Sequence, residues 1–168
     1  MMHPCAYAKD WSFGYDEVHK PMTEAEAKAI HLERRPFTGY TAIFGSSTQP
    51  THLAKVAYNE DSAGYIVTWL DSLRRKHTEY QFKLLEPGRL FLISASEFWY
   101  EGDTAKDVLA VHYNFEIDGV VHVHKFDEVA KTHEQKDEHV DVSGNWEPLP
   151  EFGRYDGLLV IERDQRHK

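Results

Sequence analysis

Along most of this chain, apolar and polar residues alternate with a period of two, the spacing of a half-buried β-strand. The clearest case spans residues 79–85, where Tyr80, Phe82 and Leu84 alternate with Glu79, Gln81 and Lys83. Similar patterning predicts strands over 40–44, 65–70 and 157–162, and a short one carried by Val140 and Val142. Residues 52–58 fit either a strand or a short helix. Residues 89–100 form a long apolar strand, central or bent at Ser94-Ala95-Ser96. Pro87-Gly88 marks the turn before it.

A helical period occurs once. Thr23-Glu24-Ala25-Glu26 has the form of a capping box, with Thr23 as N-cap and Glu26 at the third helical position. Ala25, Ala29 and Leu32 fall on one face with Ile30 beside it, Arg34 and Arg35 suit the C-terminal end of the helix dipole, and Pro36 stops the helix. The helix is expected over about 23–35. Residues 1–22 show no period and read as an irregular arm carrying Trp11, Phe13 and Tyr15. Residues 71–77 read as a polar turn and 127–139 as a charged loop or short helix. Residues 144–154 read as a loop, and 163–168 as a polar tail.

Together these elements predict a mostly β (α+β) fold. It is an antiparallel meander of roughly eight strands closing into a barrel or sandwich, with one N-terminal helix. One β-rich domain is expected over 23–162.

The densest chemistry lies in residues 108–126, where two alternating runs flank Asp118-Gly119. That dipeptide signals a hairpin, and the length of its loop decides what the hairpin carries. A two-residue loop pairs Ile117 with Val120 and puts His112 on the face opposite His122 and His124. A three-residue loop of Ile117, Asp118 and Gly119 sets His112 opposite His124 and Asn114 opposite His122. The second register separates the faces more cleanly: Leu109, Val111, Tyr113, Phe115, Val121 and Val123 on one, and the three histidines with Asn114 and Glu116 on the other. It is therefore the expected one.

Composition narrows the alternatives. The 168 residues are long enough for a substantial core, and nine Phe, nine Tyr and four Trp argue against disorder. A net charge of −9 makes nucleic acid an unsuitable partner. The single cysteine, Cys5, excludes an intrachain disulfide and a cysteine-based zinc site. No apolar run is long enough to span a membrane, no signal peptide is evident, and the cytoplasm is the expected location. Sequence motifs for phosphate loops, nucleophile elbows, zincins and Cys-x-x-Cys redox sites are absent.

Three readings of function follow. The first is a small-molecule-binding β-barrel, with or without histidine acid/base catalysis in its lumen. His112, His122, His124 and Glu97 would supply the catalytic groups. Glu97 sits in an apolar strand, where burial would favour its protonated form. Asn114 would anchor the ligand, with Tyr113, Phe115, Trp69 and Trp99 as walls. The second is an acidic protein-interaction module, such as an inhibitor or immunity-type partner, with no catalysis. The third is a metal-dependent enzyme holding a divalent ion on His112, His122 and His124; the other two need no cofactor. A mixed-charge cluster of Asp71, Arg74, Arg75, Lys76 and His77, with Arg89 nearby, is a further candidate for an anion.

Overall fold

The computed structural model describes residues 1–161 and 163. The fold is mostly β, with eleven strands in one antiparallel sheet and one α-helix. In chain order the elements are β1 (Ala6–Ser12), β2 (Glu17–Met22), α1 (Glu24–Glu33), β3 (Gly39–Gly45), β4 (Pro50–Tyr58), β5 (Ala63–Leu70), β6 (Lys76–Glu86), β7 (Arg89–Tyr100), β8 (Asp107–Phe115), β9 (Val120–Asp127), β10 (Thr132–His139) and β11 (Trp146–Pro148). The sheet runs β10-β9-β8-β7-β6-β5-β4-β3-β1-β2, a meander over its central strands, and β11 pairs with the start of β7. Among the described residues it is not closed, so of the expected barrel or sandwich the barrel, and with it a barrel lumen, is not formed. Among the described residues, no helix is long and apolar enough to cross a membrane.

The helix forms where its cap predicts. Thr23 Oγ1 accepts the Glu26 N–H at 3.2 Å, and Glu26 Oε2 accepts the Thr23 N–H at 2.7 Å. Arg34 ends it in the left-handed conformation, φ 49°, donating its N–H to Ile30 O. The buried face is Ala27 and His31, however, and Leu32 is exposed. The helix is short and packs through Ala27 and His31 with Ile30 partly buried beside them, whereas Ala25, Ala29 and Leu32, the stripe expected, are exposed.

Each face of the sheet carries a row of cross-strand partners. The row Ala54–Val67–Tyr80–Ala95–Tyr113–Val123 lies on the core face. That face packs against α1 and the C-terminal segment, whose Tyr155, Leu158 and Leu159 are buried in the main core cluster. Asn145 Nδ2 donates to Leu92 O, and Tyr80 Oη donates to Ile161 O. The row Leu53–Thr68–Glu79–Ser96–His112–His124 lies on the opposite face. Its β4 end joins a small apolar cluster of Ala8, Trp11, Ile43 and Leu53, and its other end is polar.

Several expectations are corrected. Residues 1–22 are not an irregular arm but contain the β1–β2 hairpin. Both faces of β1 are buried, Tyr7 on one side and Ala8 and Trp11 on the other, which hides the alternation. Residues 127–139 hold β10, whose side chains are all exposed and which is a strand because it pairs with β9. Val140 and Val142 form no strand; they lead into a 3₁₀ turn at Ser143–Asn145, and the expected loop after it contains β11. The closing strand over 157–162 is absent from residues 157–161, of which 157–159 form a turn, and Glu162 lies outside the described residues. Arg163, expected in a free tail, is buried and donates to Gly144 O, Glu147 Oε1 and Gly157 O; the rest of that tail, 164–168, is also outside the described residues.

Candidate functional site

The β8–β9 hairpin has the three-residue loop. The Glu116 N–H donates to Val120 O at 2.8 Å, the Gly119 N–H donates to Glu116 O at 3.1 Å, and Asp118 Oδ1 accepts the Val120 N–H at 3.1 Å. Gly119 adopts φ +95°, and a Cβ there would lie 2.6 Å from Val140 O, so the loop needs glycine. His112 therefore stands opposite His124, and Asn114 opposite His122.

The three histidines share a face but do not converge. His112 Nδ1 is 2.8 Å from Ser96 Oγ, His122 Nδ1 is 2.8 Å from Asp137 Oδ1, and His124 Nδ1 is 3.3 Å from His133 Nε2. Each ring is drawn to a different neighbour, two of them on β10. Among the described residues, no group of three or more His, Cys, Asp or Glu is placed to hold a metal ion. A divalent ion needs its ligands at about 2 Å, which rings oriented apart do not provide. The three-histidine metal centre is not formed.

The histidine face is also not the interior. It lies opposite the main core, so the lumen reading fails on orientation as well as on closure. The candidate residues are divided by the sheet. Tyr113, Phe115, Trp69, Trp99 and Glu97 are on the core face, through the pairings Trp69–Thr78–Glu97–Val111, Ala95–Tyr113, Phe115–Val121 and Trp99–Leu109. Phe115 is buried in the core, Trp69 packs edge-on to Tyr80 at 4.7 Å, and Trp99 is exposed at the far end. Glu97 is half-buried beside Tyr113, where its charge adds to the burial that raises the Tyr113 phenol. It cannot act with the histidines across the sheet.

What the structure assembles around His112 is an open trough of about 520 Å³. Ser94, Ser96 and Phe98 come from β7, His112 and Asn114 from β8, and His124 and Phe126 from β9, with Glu79 and Gln81 at the β6 side. The His112 ring sits edge-on between Phe98 at 5.8 Å and Phe126 at 5.7 Å. Phe126 in turn stacks on His133 at 4.2 Å and on His124 at 6.5 Å. Burial lowers the His112 pKa. The nearby His124 pushes the same way, while Asp107 and Glu79 oppose it. His122 shifts up, chiefly because Asp137 accepts its hydrogen bond.

Ser96, Phe126, His133 and Asp137 were not among the residues singled out from sequence. Ser96 lies in β7, where the bend expected at Ser94-Ala95-Ser96 adjoins a register shift against β6 beside Ile93. His133 and Asp137 depend on recognising β10.

Other concavities carry none of the candidate histidines; one of about 720 Å³ lies on the other face beside Val111, Tyr113 and Val123. A cleft of about 810 Å³ between the β1–β2 hairpin and Ser47–Thr48 contains Arg74, already bound to Asp16 Oδ2 and Gln49 Oε1. In the mixed-charge cluster, Arg75 is held by Asp71, Gly102 O and Thr104 O, and Lys76 by Glu79. Arg89 is elsewhere, bound to Glu86 and lying over Trp146. Arg74, Arg75 and Lys76 line one pocket of about 510 Å³, but each is already paired within the protein, and Arg89 does not join them.

No protein-family model, no curated protein and no solved structure matches this chain.

Proposed function

We propose that this chain is a small-molecule-binding protein whose ligand lies in the trough around His112, on the outer face of the sheet. One observation carries this reading: an imidazole is held half-buried between two aromatic rings, with Nδ1 engaged by Ser96 Oγ and its pKa lowered chiefly by burial. With that nitrogen occupied, Nε2 is the ring atom that meets a ligand. Ser94, Gln81 and Asn114 line the trough with neutral donors and acceptors, Glu79 adds a carboxylate already bonded to Thr68 and Lys76, and Phe98 and Phe126 offer flat apolar surface. Such a lining suits an uncharged ligand rich in hydrogen-bonding groups, with one flat face. The reading is one of binding: Glu97, the acid expected to work with the histidines, is on the other side of the sheet, and Glu79, the carboxylate that lines the trough, is held by Thr68 and Lys76.

A second reading, an acidic interaction module without catalysis, is favoured by how open the trough is and by its continuation onto the exposed ring of Phe126 and the exposed strand β10.

The test is a two-dimensional NMR titration with a panel of monosaccharides and uncharged nitrogen heterocycles. Binding in the trough shifts signals of Ser96, Phe98, His112 and Phe126 together, and His112→Ala abolishes the response. Shifts confined to other surfaces, or a response that survives His112→Ala, would contradict the reading. Silence toward the whole panel would favour the interaction module.

A further inference from the structure

We infer that the free edge of β10 is a self-complementary dimerisation edge, and that its occupant is β10 of a second copy of this chain. The inference does not depend on the trough being a ligand site. Among the described residues, β10 ends the sheet and pairs only with β9. It has eight residues, without proline, glycine or a recorded bulge, and all its side chains are exposed. The other edge differs: β2 contains Pro21 and places Lys20 at φ 52°, features that blunt strand pairing.

The hydrogen-bonding phase of β10 follows from the hairpin. The Glu116 N–H donates to Val120 O, so the even-numbered residues of β9 face β8 and the odd-numbered ones face β10. Their partners Thr132, Glu134, Lys136 and Glu138 bond to β9. The backbone groups of His133, Gln135 and Asp137 consequently point to the open edge.

Charge selects one register for a second antiparallel copy. With Gln135 opposite Gln135 of the second copy, Glu134 faces Lys136 and His133 faces Asp137, each twice by symmetry. About six backbone hydrogen bonds form across the new pair. A shift of two residues one way sets Glu134 against itself. A shift the other way sets Lys136 against itself and Glu134 against Glu138. One-residue slips bring opposite faces together. Opposite charges directly across a strand pair stabilise it and like charges oppose it, so the neutral-centred register is the one the sequence of β10 favours. Asp137 would then lie between His122 of its own chain and His133 of the other.

Sedimentation equilibrium on the full chain at low salt tests this. The wild type is expected to dimerise reversibly, more weakly as salt rises. Lys136→Glu alone and Glu134→Lys alone each oppose like charges at both symmetry-related positions. Each should weaken self-association by about tenfold or more. Mixing the two variants restores opposite charges at both positions, so the mixture should associate where neither variant does. Gln135→Pro removes an edge-facing N–H without touching the bonds to β9, and should give a monomer with an unchanged circular dichroism spectrum. A wild type that is monomeric at about 1 mM overturns the inference, since association weaker than that lies below the range of specific complexes. A dimer insensitive to all three substitutions, or a mixture no more associated than its components, also overturns it.

Discussion

Tyr80 and Glu79 are neighbours on one strand, yet they belong to two different surfaces. Tyr80 lies in a row whose centre is sealed by the C-terminal segment, bonded through its hydroxyl to Ile161 O and fully buried. Glu79 lies in a row that begins among apolar side chains at β4 and opens at β7–β9 into the histidine trough. Both rows obey the same period-two alternation. What separates them is coverage: a loop-rich tail folds back over one face, and nothing among the described residues folds over the β7–β10 part of the other.

The same contrast applies to imidazoles. His31, on α1, is buried against the core face, with Nδ1 2.8 Å from Tyr40 Oη, which in turn lies 2.6 Å from Tyr155 Oη. Burial raises the phenols Tyr40, Tyr65 and Tyr155 and lowers His31. There His31, Tyr40 and Tyr155 are linked in one hydrogen-bonded chain within a closed core. His112 has one partner, Ser96, and a trough in front of it. A satisfied network stabilises, whereas the half-satisfied, half-buried His112 ring keeps one face open, which is what the proposed ligand site rests on.

The largest effect that sharpens the contrast comes from truncation on each face. Tyr80→Ala should cost about 3–5 kcal/mol in chemical denaturation, as large aromatic deletions in cores do. His124→Ala, on the open face, should stay within about 0.5 kcal/mol. Comparable costs would mean that the outer face is covered too. Next in size, Tyr155→Phe removes the hydroxyl that Tyr40 shares, and should cost about 1–3 kcal/mol with the fold retained.

A smaller effect should appear with pH. His31, His52 and His112 are all shifted down, primarily by burial. Between their depressed folded-state values and about 6.5, the unfolded chain binds more protons than the folded one. These histidines therefore leave stability unaffected above about pH 7 and reduce it as pH falls through 6.5. His122, shifted up, acts in the opposite sense, contributing stability below about 6.5 that is lost as pH rises through its folded value. Melting temperatures measured from pH 8 to 5 should fall, and His31→Gln should fall less steeply than wild type. An identical slope in that variant would show that His31 is not held neutral by the core.

Much of this was legible in the sequence. The limits of β7, residues 89–100, follow from its apolar run, and the Gly119 loop set the hairpin register from the division of apolar and polar positions alone. The capping box placed α1. Other features depend on partners distant in the chain. Burial on both faces obscured β1, and full exposure obscured β10, because alternation is visible only when one face is wet and the other dry. The side of the hairpin facing the core was not legible either. It is decided by where Tyr155, Leu158 and Leu159 pack, and the pattern within the hairpin is the same for either choice.

The central claim is that the histidine face is an open outer surface on which the three rings have separate environments. An NMR titration of the imidazole Cε1–H signals tests it most directly. The account predicts that His112 titrates below the ordinary histidine range and His122 above it, and that Asp137→Asn lowers the His122 midpoint while leaving His112 in place. A common midpoint for the two, or a shift of both on Asp137→Asn, would contradict it.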